Sequence, residues 1–415
     1  MLTVFYDCYQ VLGKVYCQNA FVSQALNNTP VESLKRREIT KICYGVLDKD
    51  IELSYYLAQL SPKPPKLAIR ILIKIAMYAI KYLNWQPHTV TNVTVELAKK
   101  LGKGGTAGYI NAVLRNFIRV KFTLPSDEIE RMSVVYSYPL FAVKLLIESY
   151  GKDTAEKIIG YDEEHSYVRF NVGVDGKRYL DDNRYEYAET VYDNLFDVKG
   201  LKINDDFYNG LFTFQSIGSV AICEHLKPCD CALDVCSAPG GKTVLACDKA
   251  KNVVAFELHE HRTQLVQSYL KRMKKDNAVV INRDSTVFNP DYENKFDQVL
   301  CDVPCSGFGT LKENPDIKLN KTSANVFELN LTQQAVLSVS SKYVKTGGRL
   351  IYSTCSVFKH ENDEIVKKFL ENDSDFCAVK ICSKLDFLRT DYGLQFLPHL
   401  SGGAGFYVSV LEKRK

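Results

Sequence analysis

A chain of 415 residues has room for two or three domains of ordinary size. Hydrophobic residues at 46% and charged residues at 25% are ordinary globular usage, which excludes a mainly disordered, collagen-like or membrane-embedded chain. The net charge of +4 conceals an asymmetry: residues 1–123 carry +10, residues 124–208 carry −8 and the remainder +2.

The basic first segment is a candidate polyanion binder, with a well-solvated helical surface as the alternative. It opens MLTVFYDCYQVLGKVYCQ, which lacks the basic and apolar regions of a secretory signal, so a cytoplasmic protein is expected. The 13 cysteines form no regular framework, and the close pairs Cys229/Cys231 and Cys301/Cys305 lack zinc spacing. Reduced thiols and no metal are the expectation.

Up to about residue 123 the periodicity is helical. Its most apolar run, Leu67 to Leu83, carries Arg70, Lys74 and Lys81 on one narrow face and predicts a buried central helix. These charges interrupt the run too early for a membrane span. A second helix is predicted from about Val93 to Leu101, ended by Gly102-Lys103-Gly104-Gly105. Thr106 then stands where it can cap a third, on which Asn111, Arg115 and Arg119 share one face beside Ile110, Val113, Leu114, Phe117 and Ile118. That polar face could grip phosphates or simply face solvent.

Pro125 and the acidic stretch after it mark a boundary, so residues 124–208 are read as a small mixed connector domain, helical over Phe141 to Tyr150 and extended over Tyr167 to Val172. From residue 209 to 415, short apolar strands alternate with helices: Ala232 to Val235, Val253 to Phe256, Val279 to Asn282, Gln298 to Cys301 and Leu350 to Ser353. This alternation predicts an α/β, Rossmann-like domain with a parallel sheet.

The segment Leu233-Asp234-Val235-Cys236-Ser237-Ala238-Pro239-Gly240-Gly241-Lys242-Thr243 puts a glycine turn after a strand and before a helix, where backbone N–H groups can meet a ligand. Gly241-Lys242-Thr243 also ends like a P-loop, and FDQVLCD could pass for its partner strand, but a P-loop NTPase needs glycine where Cys236 stands. A nucleoside cofactor instead demands an acidic residue at the end of the second strand, and Glu257 meets that demand. Asp284 ends the third strand and could contact the base or cap a helix. Two cysteine segments follow later strands, Cys301-Asp302-Val303-Pro304-Cys305-Ser306-Gly307 and Ser353-Thr354-Cys355-Ser356. Both thiols therefore lie at the ligand-binding edge of one sheet, where they can converge beside Asp302 on an electron-poor ring carbon. A single buried cysteine is usually inert; two at one sheet edge favour catalysis.

LDVCSAPGGKT, DVPCSG with the following NPDIK, and STCSV resemble the Sun-type RNA (cytosine-5) methyltransferases. YGVLDKDIELSYYLAQL, VELAKKLG and AGYINAVLRNFIR look like the all-α NusB-like RNA-binding domain that precedes the catalytic domain in the members acting on small-subunit ribosomal RNA. The resemblance implies S-adenosylmethionine as cofactor, with Cys236, Ser237, Ala238, Pro239, Gly240, Gly241 and Lys242 wrapping it and Glu257, Asp284 and Asp302 adding contacts. It implies Cys355 as nucleophile on cytosine, Cys305 in product release, Asp302 on the ring, and 16S ribosomal RNA as partner. Phe308 is a candidate neighbour of the target base. Three positions depart from the family pattern, which commonly has Asp where Glu257, Ser216 and Ala404 stand. The contrasting class is a non-catalytic RNA-binding protein with a degenerate sheet domain, against which the intact cysteines, Asp302 and glycine turn argue.

Overall fold

A computed structural model describes residues 1–414 and divides them into two compact units, residues 1–160 with 311–322, and residues 161–310 with 323–414. The first is helical: α1 (Leu2–Gln18), α2 (Val22–Asn27), α3 (Arg36–Asp48), α4 (Asp50–Leu60), α5 (Leu67–Lys81), α6 (Pro87–Lys100), α7 (Ala107–Arg119), α8 (Glu128–Val135), α9 (Leu140–Tyr150) and α10 (Lys152–Ile159).

The predicted central helix is α5, and Ile71, Leu72, Ile73, Ile75, Ala76, Met77 and Ala79 are all buried along it. Its narrow cationic face is used internally. Lys74 is 2% exposed and pairs with Asp50 at 2.5 Å, while Lys81 pairs with Glu52, so the two acids opening α4 neutralise the two lysines of that face. Burial lowers the Lys74 pKa, and Asp50 opposes that shift. Helix α6 starts earlier than its apolar pattern, because Pro87 sits at the first helical position, where its fixed φ and missing N–H cost nothing. Thr106 precedes α7 without capping it by its side chain; the hydroxyl donates to the Lys103 carbonyl instead. On α7 Arg115 and Arg119 are exposed and Asn111 half-buried, but Ile118, expected on the apolar side, is 48% exposed.

The segment Leu311–Thr322 belongs to this helical unit despite its distance along the chain. Lys318 and Leu319 tie it there: the Lys318 ammonium bonds the Asp48 carbonyl at 2.9 Å and carboxylate at 2.8 Å, and Leu319 packs against the helical core. Burial works against the Asp48 charge, but Lys318 and Lys49 outweigh it and hold the carboxyl down to about 2.

Residues 124–208 divide between the units. Helices α8 to α10 pack with the helical unit, whereas the following residues build a four-stranded antiparallel sheet of the second unit, in the order β2-β3-β1-β4: β1 (Tyr167–Phe170), β2 (Glu186–Glu189), β3 (Leu195–Lys199) and β4 (Phe212–Phe214). The physical cause is where the apolar groups go: Phe170, Leu180, Phe196, Val198 and Phe212 make their own small core in that sheet.

The main sheet contains β5 (Cys229–Asp234), β6 (Ala250–Glu257), β7 (Ala278–Asn282), β8 (Phe296–Asp302), β9 (Val344–Thr354), β10 (Phe376–Ala378), β11 (Leu388–Arg389), β12 (Leu394–Phe396) and β13 (Phe406–Lys413). Its order is β11-β12-β13-β9-β8-β5-β6-β7, with β10 pairing β13. Strands β5 to β9 are mutually parallel as predicted, but β13 enters antiparallel between β9 and β12, so the sheet is mixed. Strand order reverses at β5, where the chain runs outward first through β6 and β7 and then through β8 and β9; the crevice at such a reversal is where open α/β sheets bind ligands. Among the described residues no helix is long and apolar enough to cross a membrane, and no cluster of His, Cys, Asp or Glu could hold a metal ion. The cysteines are all free.

Candidate active site

Two groups of residues occupy the carboxyl ends of the parallel strands. The first follows β5. Asp234, 1% exposed, ends that strand; its carboxylate accepts the Thr243 hydroxyl at 2.7 Å and lies 3.4 Å from the Cys236 N–H. Burial pushes its carboxyl up to about 7, with Thr243 acting the other way. The turn is tied to β6 by Ser237, whose N–H and hydroxyl both donate to the Phe256 carbonyl at 2.9 Å.

The two glycines serve the helix as much as any ligand. Gly240 has φ of +110°, a region that disfavours other residues, and a Cβ there would sit 3.2 Å from Tyr269; a Cβ at Gly241 would sit 3.2 Å from the Gln215 amide. Both absences allow close packing of helix Gly241–Cys247.

Glu257 ends β6 with 4% exposure, and its carboxylate accepts backbone N–H groups from Ala238 at 3.3 Å and His259 at 3.1 Å, with Arg262 at 3.6 Å. A carboxylate has about four acceptor positions, so capacity remains for a ligand diol. A buried acid at this strand end, facing a backbone turn, is a donor and acceptor set that fits a nucleoside cofactor. Asp284 is exposed and accepts the N–H and hydroxyl of Thr286 at 2.8 and 2.7 Å, which holds a turn rather than a helix start and keeps its carboxyl low.

The second group joins β8 and β9. Asp302 accepts the Lys242 ammonium at 2.7 Å on one oxygen and the Ser353 hydroxyl at 2.7 Å on the other. Burial disfavours the Lys242 charge, yet Asp302 more than offsets it and raises the Lys242 pKa. Lys242, assigned from the sequence to the cofactor turn, therefore directs its charge to the second group. The Cys305 and Cys355 sulfurs are 3.0 Å apart, and the Cys355 N–H points at the Cys305 sulfur at 3.3 Å. The adjacent Cys355, then burial, push the Cys305 thiol well above its ordinary pKa.

Close packing fixes the loop after Cys305. A Cβ on Gly309 would meet the Gly405 carbonyl at 1.7 Å and the Cys355 carbonyl at 2.8 Å, and the Gly309 N–H bonds the latter at 3.0 Å. Ala404 directly precedes Gly405 in the segment that meets this loop and is buried. Ser216 accepts the Ser219 N–H and caps helix Ile217–Cys223, work that Asp would do equally well. Phe308 is 3% exposed and packs on Phe358 at 4.9 Å between centroids, so it is interior packing rather than an open face for a base.

Sequence reasoning missed Ser353 as a partner of Asp302, and missed Gly309 and Gly405 as a backbone contact. It also missed Gln333, Glu361 and Asn362, which are buried beneath the two cysteine loops. No short motif marks any of them, because the contacts that join the two loops reach residues far away in the chain.

Residues 221–412 match the family described as 16S rRNA methyltransferase RsmB/F, and residues 7–119 match the NusB family. The chain is 29% identical over 422 residues to the probable ribosomal RNA small subunit methyltransferase B of Bacillus subtilis (strain 168), covering 95% of this chain and 94% of the relative. Against ribosomal RNA small subunit methyltransferase B of Vibrio vulnificus (strain YJ016) the identity is also 29%, with 97% of this chain and 98% of the relative covered. Of solved structures, the crystal structure of PH0851 is similar at a TM-score of 0.85 with 22% identity, covering 100% of this chain and 99% of that one. NSun6 from Pyrococcus horikoshii with SFG is similar at 0.60 with 18% identity, covering 68% of this chain and 100% of that one. These structural likenesses concern the fold.

Proposed function

We propose that this chain, which belongs to the RsmB/F methyltransferase family and carries a NusB domain ahead of the catalytic one, methylates carbon 5 of a cytosine in 16S ribosomal RNA. The observation that carries this reading is the pair of sulfurs 3.0 Å apart at the ends of adjacent parallel strands, beside an aspartate held by Lys242 and Ser353.

Carbon 5 of cytosine is a poor nucleophile, so the ring must first be made electron-rich. The Cys355 thiolate adds to carbon 6, forming a carbon–sulfur bond and moving the ring electron pair towards carbon 5. Asp302, oriented on both oxygens, accepts from the amino edge of the ring and holds the base in place, while the Lys242 ammonium beside it offsets the electron density that moves into the ring. S-adenosylmethionine, when bound along the Cys236 to Lys242 turn with Glu257 at its ribose, supplies an electrophilic methyl group to that carbon. Release needs removal of the carbon-5 proton and expulsion of the Cys355 thiolate, and Cys305 is the adjacent group that assists it. Asp284 is the flanking acid for the cofactor base. The target cytosine must be unpaired or flipped out of its helix to reach these groups. The basic helical segment holds the RNA, with Arg115 and Arg119 on an open face, so affinity falls steeply with salt.

The test is transfer of labelled methyl from the cofactor to total ribosomal RNA, followed by digestion and nucleoside identification. Label in 5-methylcytidine is the expected result. Label confined to other nucleosides would sink the reading, and no transfer despite cofactor binding would favour a non-catalytic RNA binder.

A further inference from the structure

Beneath the two cysteine loops lies one carboxylate that belongs to neither. Glu361 closes the short turn Lys359–Glu361 after β9, is 0% exposed, and has no lysine or arginine partner among the described residues. Four neutral donors converge on it instead. One oxygen accepts the Ser306 N–H at 2.7 Å and the Gln333 side-chain N–H at 3.1 Å. The other accepts the Ser306 hydroxyl at 2.5 Å and the Ser356 hydroxyl.

Ser306 and Ser356 are the residues directly after Cys305 and Cys355, so one carboxylate holds both cysteine loops. Gln333 extends the tie, because its side-chain nitrogen also donates to the Pro304 carbonyl, just before Cys305, at 3.1 Å. Asn362 repeats it on the other loop, accepting the Thr354 hydroxyl at 2.5 Å and donating to the Ser356 carbonyl at 3.0 Å. Burying a carboxylate without a cation is costly unless hydrogen bonds replace its water, and here every bond goes to a residue flanking a thiol or to Gln333.

We propose that Glu361 is a positioning residue that sets the distance between the Cys305 and Cys355 sulfurs by holding both loops on one carboxylate. This rests on the proposed reaction only for its purpose, since the clamp itself concerns the resting geometry. A glutamine at this position keeps the shape: its oxygen can accept from Ser306 and Gln333, and the two hydroxyls can rotate to accept from its amide. Alanine removes all four bonds.

The test uses the full-length protein and diamide, a diazo oxidant that takes two electrons and two protons from a pair of thiols as the sulfur–sulfur bond forms. The rate of the Cys305–Cys355 bridge is followed by mass spectrometry of the linked peptides, beside cofactor affinity by calorimetry and methyl transfer to RNA. Glu361→Gln should bridge and methylate near the parent rate. Glu361→Ala should bridge about 10-fold more slowly and lose about 100-fold in kcat with cofactor affinity retained, the size of effect that misplaced reacting groups produce.

Should Glu361→Ala not fold, Ser356→Ala removes a single tether and should slow bridging about 3-fold. Bridging at the parent rate in whichever of these alanine variants folds overturns the proposal, as does a Glu361→Gln protein that behaves like Glu361→Ala. A parent protein that bridges readily yet makes no 5-methylcytidine, with bridging slowed in the alanine variant, would remove the reaction assigned above and leave the clamp standing.

Discussion

The two halves of the binding edge are built differently. On the β5–β6 side most ties are to the backbone and short in sequence: Ser237 to the Phe256 carbonyl and Ala238 to Glu257 across 19 positions, Thr243 to Asp234 across 9. On the β8–β9 side the ties are chiefly between side chains and long: 50 positions from Cys305 to Cys355, 51 from Asp302 to Ser353, 55 from Ser306 to Glu361. A ligand of fixed shape can be received by a turn that one short segment prepares. Opposed reacting groups must come from separate loops, so a network has to bring those loops together. Damage on the first side should weaken binding by the worth of each hydrogen bond removed, and damage on the second should abolish turnover.

The largest break is expected at the thiols. Cys355→Ala should lose methyl transfer by on the order of 10⁴-fold or more and form no covalent RNA adduct. Cys305→Ala should add to the base and then stall, seen as a shifted band on a denaturing gel. A stable adduct from Cys355→Ala and none from Cys305→Ala would exchange the two roles.

Next comes Asp302→Asn, which keeps the size of the side chain but removes the charge facing Lys242; kcat should fall by roughly 10²–10⁴. Cofactor affinity measured in parallel sharpens the contrast, because a loss in affinity as large as the loss in kcat would move Asp302 to the binding side. Smaller again is Glu257→Ala, expected to weaken S-adenosylmethionine binding by about 1–3 kcal/mol with Glu257→Asp milder. Calorimetry giving the parent affinity for both would take Glu257 out of the site.

The last effect is on stability and leaves the reaction itself untouched. Burial pushes the His360 imidazole down to about 4, so folding favours its neutral form. The stability it contributes is complete above its unfolded pKa of about 6.5 and is lost as pH falls towards 4, with a slope of at most about 1.4 kcal/mol per pH unit. Denaturant titrations of His360→Leu should show a flatter decline across that window, and an unchanged slope would assign the acid sensitivity elsewhere.

What could be read from the chain follows the same division. The glycine turn, the strand before it and Glu257 lie within about 30 residues, so the spacing alone exposes a nucleoside site. The cysteines could be placed at one sheet edge because each follows an apolar strand. Their support could not, since nothing in His360-Glu361-Asn362-Asp363-Glu364 separates Glu361, fully buried, from the exposed Glu364. The antiparallel entry of β13 is also invisible locally, because its partner β9 is decided by the sheet and not by its own residues. Residues 124–208 read as one connector from their charge, but the stretch is shared between the two compact units, and within the second its apolar side chains enter both the main-sheet core and the small-sheet core.

Lys318 lies 270 positions after the Asp48 that it neutralises. On a ribosome, the helices of the first unit emerge and can collapse long before that lysine is made, so for most of synthesis Asp48 waits without this partner. The helical unit begins to fold first yet is finished only after β8 has left the exit tunnel, and a transcript truncated before residue 311 would yield it incomplete.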